Sequence, residues 1–149
     1  MTARLAKPED LELACHRFEL HGVHVTPKEL TQDKAVITID DAKDSTDVFW
    51  ASLHDNKADG PPCWWVHWHF ESPDAWGPLV LVACKEAVRL GLGDIPARWL
   101  AKDEGNPTAG WYRAALNLAP VAVSAREDGK APWEITPAQV VKLLARVAR

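Results

Sequence analysis

The chain has 149 residues, of which 47% are hydrophobic and 26% charged. These proportions are typical of a globular protein and exclude a disordered or fibrous chain, while the length fits a single globular domain over residues 1–149. The longest unbroken apolar run, Leu79 to Cys84, is too short to cross a bilayer, and no signal peptide is visible. Three widely spaced cysteines form no disulfide framework, so we expect a cytoplasmic protein.

The formal net charge is −4, and it is unevenly distributed. Between positions 32 and 61, seven aspartates stand against three lysines. An acidic chain is a poor candidate for binding nucleic acid, because contacts with phosphate supply most of the affinity of such proteins. The acidic stretch is either a well-solvated loop or a docking surface for a protein partner with a basic surface.

Two helices are predicted at the start of the chain. Apolar residues at helical spacing, followed by a glycine suited to a left-handed C-cap, indicate an N-terminal helix from about Pro8 to His21. The segment Thr26-Pro27-Lys28-Glu29 predicts a short second helix. Its threonine caps the first turn, its proline takes the first helical position, and its glutamate reaches back to the N–H of the cap.

The middle of the chain favours strands. The segments Lys34–Asp40 and Val48–Leu53 are rich in β-branched and aromatic residues. The clearest strand runs from Cys63 to Glu71, between two proline-containing turns. The segment Leu79–Leu90 begins as an apolar run and ends with charged residues at helical spacing, which predicts a helix with a largely buried first half.

The last third of the chain mixes both kinds of element. Asp94 can cap a short helix through Leu100, and Thr108 can cap another up to Pro120. The segment Val121–Ile135 resembles a hairpin, and a proline at position 132 places its second strand at a sheet edge. A second Thr-Pro-x-Gln cap at Thr136 starts the C-terminal helix, whose buried stripe is Val140, Leu143, Leu144 and Val147.

These elements predict an α+β fold. We expect a small antiparallel or mixed sheet of 3–5 strands, packed against an N-terminal helix, middle helices and a C-terminal helix.

The strand Cys63–Glu71 separates apolar from polar side chains, because neighbouring residues of a strand point to opposite faces. The face predicted to be core carries Trp64, Val66, Trp68 and Phe70. The opposite face carries Cys63, Trp65, His67, His69 and Glu71.

Three interpretations of the histidine face are open. Two histidines two residues apart could reach one metal ion, but a third ligand would have to come from His54, Asp55 or Asp74 on another segment. A general base at His67 or His69 lacks a nucleophile or acid that the sequence places beside it. We therefore predict no metal, no cofactor and no catalytic residue, and we interpret the face as a contact surface.

Tryptophan is over-represented, with eight copies against three phenylalanines and one tyrosine. Trp76 lies in a turn between small residues and has the least reason to be buried, and tryptophan is enriched among interface anchors. The leading prediction is a non-catalytic protein, such as an inhibitor, immunity-type protein or adaptor, that binds a protein partner through an acidic, tryptophan-containing surface. Its predicted partner-binding residues are Asp40, Asp41, Asp44, Asp47, Trp65, His67, His69, Glu71 and Trp76.

Two alternatives stay open. One is a metal- or histidine-dependent small hydrolase or ligand-binding protein that uses His67 and His69. The other is a structural component of a larger assembly.

Overall fold

One mixed sheet of six strands organises the protein, which is described from a computed structural model for residues 3–54, 61–71, 76–102 and 130–147. The strands lie side by side in chain order, and every neighbouring pair is antiparallel except β4 with β5. They are β1 (Ala3–Leu5), β2 (Ala35–Asp40), β3 (Val48–His54), β4 (Cys63–His69), β5 (Ala97–Lys102) and β6 (Lys130–Ile135).

Helices cover both faces of the sheet. A 3-10 turn (Pro8–Asp10), α1 (Leu11–Leu20) and α2 (Pro27–Leu30) lie on one face, where Phe18 and Leu30 pack against residues of β2 and β3. The helices α3 (Trp76–Arg89) and α4 (Pro137–Val147) lie on the other face. Among the described ranges, no helix has both the length and the apolar character needed to span a membrane.

The predicted α+β class is confirmed, with one strand more than the predicted upper limit. The first strand, Ala3–Leu5, is only three residues long, and no alternating pattern marks it in the sequence. The prediction of a helix from Asp94 to Leu100 is wrong. Residues Ala97–Lys102 form β5, because pairing with β4 on one side and with β6 on the other outweighs the local capping signal.

Local signals at the helix ends are confirmed. The hydroxyl of Thr26 accepts the N–H of Glu29 at 3.2 Å, while the glutamate carboxylate accepts the N–H of Thr26 at 3.3 Å. Thr136 and Gln139 make the same pair of contacts at the start of α4. Gly22 has a φ of +82°, the left-handed conformation that ends α1.

Other predicted element boundaries differ from those in the structure or lie outside the described residues. Helix α3 begins at Trp76, three residues before the predicted start, so this tryptophan belongs to a helix and not to a turn. The strand β6 lies at an edge of the sheet, as Pro132 predicts. The predicted helix from Thr108, and the first strand and turn of the hairpin predicted from Val121, lie outside the described residues.

The predicted alternation along β4 is confirmed. Trp64 is 1% exposed and Val66 is 9% exposed on the face covered by α3, and both belong to the larger core with Trp133 of β6. Trp68 and Phe70 are half-buried and pack against this core. On the opposite face of the strand, His69 packs against Phe18 and His21 at the end of α1.

Candidate functional site

The strands β4 and β5 are paired over only part of their length. Within the described residues their register contains two pairs, Trp64 with Ala97 and Trp65 with Arg98, although both strands continue beyond them. The N–H of Trp64 donates to the carbonyl of Pro96 at 2.8 Å. Because backbone groups alternate in direction along a strand, the N–H of Trp68 points toward β5 like that of Trp64. It lies beyond the last residue pair between the two strands. The two strands therefore leave a gap toward their carboxyl ends.

An apolar cavity of about 50 Å³ lies on the helix α3 side of this gap. Both strands line it, β4 with Val66 and Trp68 and β5 with Ala97 and Trp99, and α3 and α4 close it. Cys84 of α3 is part of the lining, and burial raises the pKa of its thiol to about 12. This thiol is therefore neutral at physiological pH and behaves as a small apolar group.

The other face of the gap carries imidazoles and indoles. The ring of His67 lies 5.2 Å from the ring of Trp50 on β3. The ring of His69 stacks on that of His21 with 4.6 Å between the centroids, and the edge of Phe18 approaches it at 5.8 Å. The end of α1 thus covers His69, whereas His67 is exposed to solvent on one side.

Desolvation controls the protonation of both histidines. The protein around His67 lowers its pKa, with a smaller contribution from His54, and desolvation together with His21 and His67 lowers the pKa of His69. Both rings are therefore neutral at pH 7 and can accept a proton.

Two polar atoms beside these imidazoles are buried and have no hydrogen-bond partner in the described part of the chain. They are Nε1 of Trp50 and Nε2 of His21. Buried polar atoms without partners are uncommon, and strain, a catalytic role or a bound water or ion explains those that occur. Of the two imidazoles on this face of β4, the exposed ring of His67 is therefore the neutral base that is open to a polar molecule.

A buried arginine organises the acidic segment between β2 and β3. The guanidinium of Arg17, which is 2% exposed, donates to the carbonyl oxygens of Asp40 at 2.8 Å, Asp47 at 3.0 Å and Ala42 at 3.2 Å. Arg17 is not among the site residues predicted from the sequence. A signal was present, since Arg17 falls in phase with Ala14 and Phe18 on the buried stripe of α1.

The predicted partner-binding residues occupy different places. Trp65, His67 and His69 share one face of β4 as predicted, and Glu71 is exposed just beyond the strand. The remaining predicted residues are acidic or lie at the start of α3. Asp40 and Asp47 are buried, Asp41 and Asp44 are exposed, and the side chain of Trp76 lies outside the described part.

Hydrogen bonds tie two of these acids to other elements. Asp47 accepts the N–H of Glu71 at 2.7 Å, and Asp41 pairs with Arg4 at 2.8 Å. In the ranges that the structure describes, no three His, Cys, Asp or Glu side chains converge in a way that could hold a metal ion.

Similarity to known proteins is confined to three-dimensional structure, since no protein-family model and no curated protein matches the sequence. FdhC, a nucleotide-linked sugar GNAT solved in its apo form, aligns with a TM-score of 0.62 at 12% identity, covering 99% of this chain and 92% of its own. The chain shares its fold with this GNAT structure. FeeM, an N-acyl amino acid synthase from uncultured soil microbes, aligns at 0.57 and 9% identity, with 96% and 99% coverage. The aminoglycoside acetyltransferase AAC(6′)-Ib, solved in complex with coenzyme A, aligns at 0.50 and 14% identity, with 99% coverage of both chains.

These structures correct the leading functional prediction. A non-catalytic inhibitor, immunity-type protein or adaptor was expected from missing catalytic motifs and concentrated acid. That prediction is wrong, because the solved structures that share this fold are a sugar GNAT, an N-acyl amino acid synthase and an aminoglycoside acetyltransferase. The physical reason for the error is that this fold depends on pairing between distant strands, such as β4 with β5, which leaves no motif in a sequence.

Proposed function

We propose that this protein is an acyltransferase that moves an acyl group from a thioester to an amine. The observation that carries the proposal is the parallel pairing of β4 with β5, which stops after two pairs in a chain with the GNAT fold. AAC(6′)-Ib, an acetyltransferase that was solved with coenzyme A, has the same fold over 99% of this chain.

The gap suits the acyl end of a thioester. By strand alternation the N–H of Trp68 points toward β5 beyond the last pair, where it can donate to a carbonyl or amide oxygen. The cavity beneath it is lined by apolar side chains. Its volume of about 50 Å³ is a third of the roughly 150 Å³ that holds a benzene ring, so it accepts a small aliphatic acyl group. The donor supplies an acyl carbon activated by a thiol leaving group, and the protein supplies the binding and orientation.

The histidine face suits the amine. In the reaction the amine nitrogen bonds to the acyl carbon, the bond to the thiol sulfur breaks, and one proton leaves the nitrogen. His67 is neutral and open to solvent on one side, so its imidazole can take up that proton. The ring of Trp50 packs against this imidazole, with 5.2 Å between the ring centroids.

The test is release of free thiol from short acyl thioesters in the presence of a panel of primary amines. We expect thiol release that depends on the amine, and the variant His67→Gln should lower kcat by about 10²–10⁴-fold with a smaller change in KM. His24→Gln is the matched control, because His24 is exposed in the turn after α1. Amine-independent hydrolysis alone, or no turnover with any pair, would contradict the proposal.

A further inference from the structure

The strand β4, helix α3 and strand β5 form a parallel β-α-β unit. In such units the phosphate groups of a ligand lie at the N-terminus of the helix, outside the carboxyl end of the first strand, because the free N–H groups and the helix dipole favour negative charge. If this protein held coenzyme A through its nucleotide, the pyrophosphate would therefore lie where β4 ends and α3 begins.

The sequence at this position opposes an anion. Residues 70–84 contain no lysine or arginine, and they include the acids Glu71 and Asp74. Pro78 lies in the first turn of α3 and has no N–H, so one of the donors that helix N-termini offer to phosphates is missing. The N–H of Glu71 already donates to Asp47 at 2.7 Å.

The adjacent loop adds more negative charge. Val48 pairs with His69, so the segment between β2 and β3 lies at the edge of the sheet where β4 ends. Its exposed acids are Asp41 and Asp44.

Within the part of the chain that the structure describes, the cations of this edge are largely engaged in other contacts. Arg4 is held by Asp10 at 2.6 Å and by Asp41 at 2.8 Å, and the guanidinium of Arg17 is buried against backbone carbonyls. Lys43 is exposed in the same acidic loop, where aspartates outnumber it. A pyrophosphate would therefore meet an excess of like charge at this edge.

From this arrangement we infer that the protein recognises its donor by the acyl-pantetheine end alone and that the nucleotide of coenzyme A contributes no affinity. The inference rests on the proposed function and narrows its donor class to acyl thioesters recognised without a nucleoside diphosphate. The gap between β4 and β5 can bind the thioester end of the donor, whereas the acidic residues near the N-terminus of α3 repel the phosphate end.

The experiment compares an acyl-coenzyme A with the acyl-pantetheine that carries the same acyl group, using one amine acceptor. We expect the two kcat/KM values to agree within about threefold, because each lost charge-assisted contact to a phosphate would cost roughly tenfold or more. A preference for acyl-coenzyme A of more than about threefold would overturn the inference and leave the acyltransferase proposal intact. Turnover of neither donor would overturn both.

A charge reversal at Glu71 gives a second, independent readout. Glu71→Lys should raise the affinity for 3′-phospho-ADP in a calorimetric titration, whereas the unchanged protein should show no saturable binding. Asp33→Lys is the matched control, since Asp33 is exposed in the turn before β2, at the opposite end of that strand from the acidic loop. Saturable binding of 3′-phospho-ADP to the unchanged protein, or equal gains in both variants, would contradict the inference.

Discussion

Replacement of Arg17 by methionine should destabilise the protein strongly. The guanidinium is buried and donates three hydrogen bonds to carbonyl oxygens between β2 and β3. Bonds from a charged donor contribute about 1.5–3 kcal/mol each, or roughly 5–9 kcal/mol together, and burial of the cation offsets several kcal/mol of this sum. Because the methionine would leave the three carbonyls unpaired, we expect a net loss of about 3–5 kcal/mol.

The measurement is urea-induced unfolding followed by tryptophan fluorescence. Arg17→Lys should lie between the unchanged protein and Arg17→Met, because an ammonium keeps the charge but cannot match the planar donor array. Arg89→Met is the control, since Arg89 is exposed and its ion pair with Glu86 lies on the surface of α3, so its unfolding midpoint should not change measurably. A loss below about 1 kcal/mol for Arg17→Met would refute this account of the buried arginine.

Three further predictions concern stability and thiol chemistry. Because the fold lowers the pKa values of His67 and His69, the unfolded chain binds protons more readily, and the free energy of unfolding should fall as the pH drops below about 6.5. In urea titrations at a series of pH values, the double variant His67→Gln/His69→Gln should show a smaller decline. Cys84, with its pKa raised to about 12, should resist iodoacetamide in the folded protein and react after unfolding, as read by mass spectrometry. Thr136→Ala should cost about 1 kcal/mol in thermal or urea unfolding, because it removes the cap of α4.

Sequence reasoning was most reliable where a local pattern determines structure. The capping segments at Thr26 and Thr136 predict helix starts because the hydrogen bonds involved join residues three positions apart. The alternation in β4 predicts which side chains are core and which share the face of His67, because the strand period of two is a property of the backbone.

Features that depend on contacts between distant segments were not predictable in this way. The segment Ala97–Lys102 is a strand only because β4 and β6 flank it, and its local sequence also suits a short helix. The gap between β4 and β5 reflects where pairing stops, which is a property of two strands and not of either sequence. The partners of the imidazoles, Trp50 and His21, come from a neighbouring strand and from the end of α1.

The acyl donor is proposed to bind in the gap between β4 and β5, and an NMR titration of the backbone amides tests this most directly. Addition of a non-reactive thioether analogue of acetyl-pantetheine should cause saturable shifts of the backbone N–H of Trp68 and of residues that line the cavity, such as Val66 and Ala97. Residues at the far edge of the sheet, such as those of β1, should not respond. Shifts absent from β4 and β5 at millimolar analogue would contradict the account.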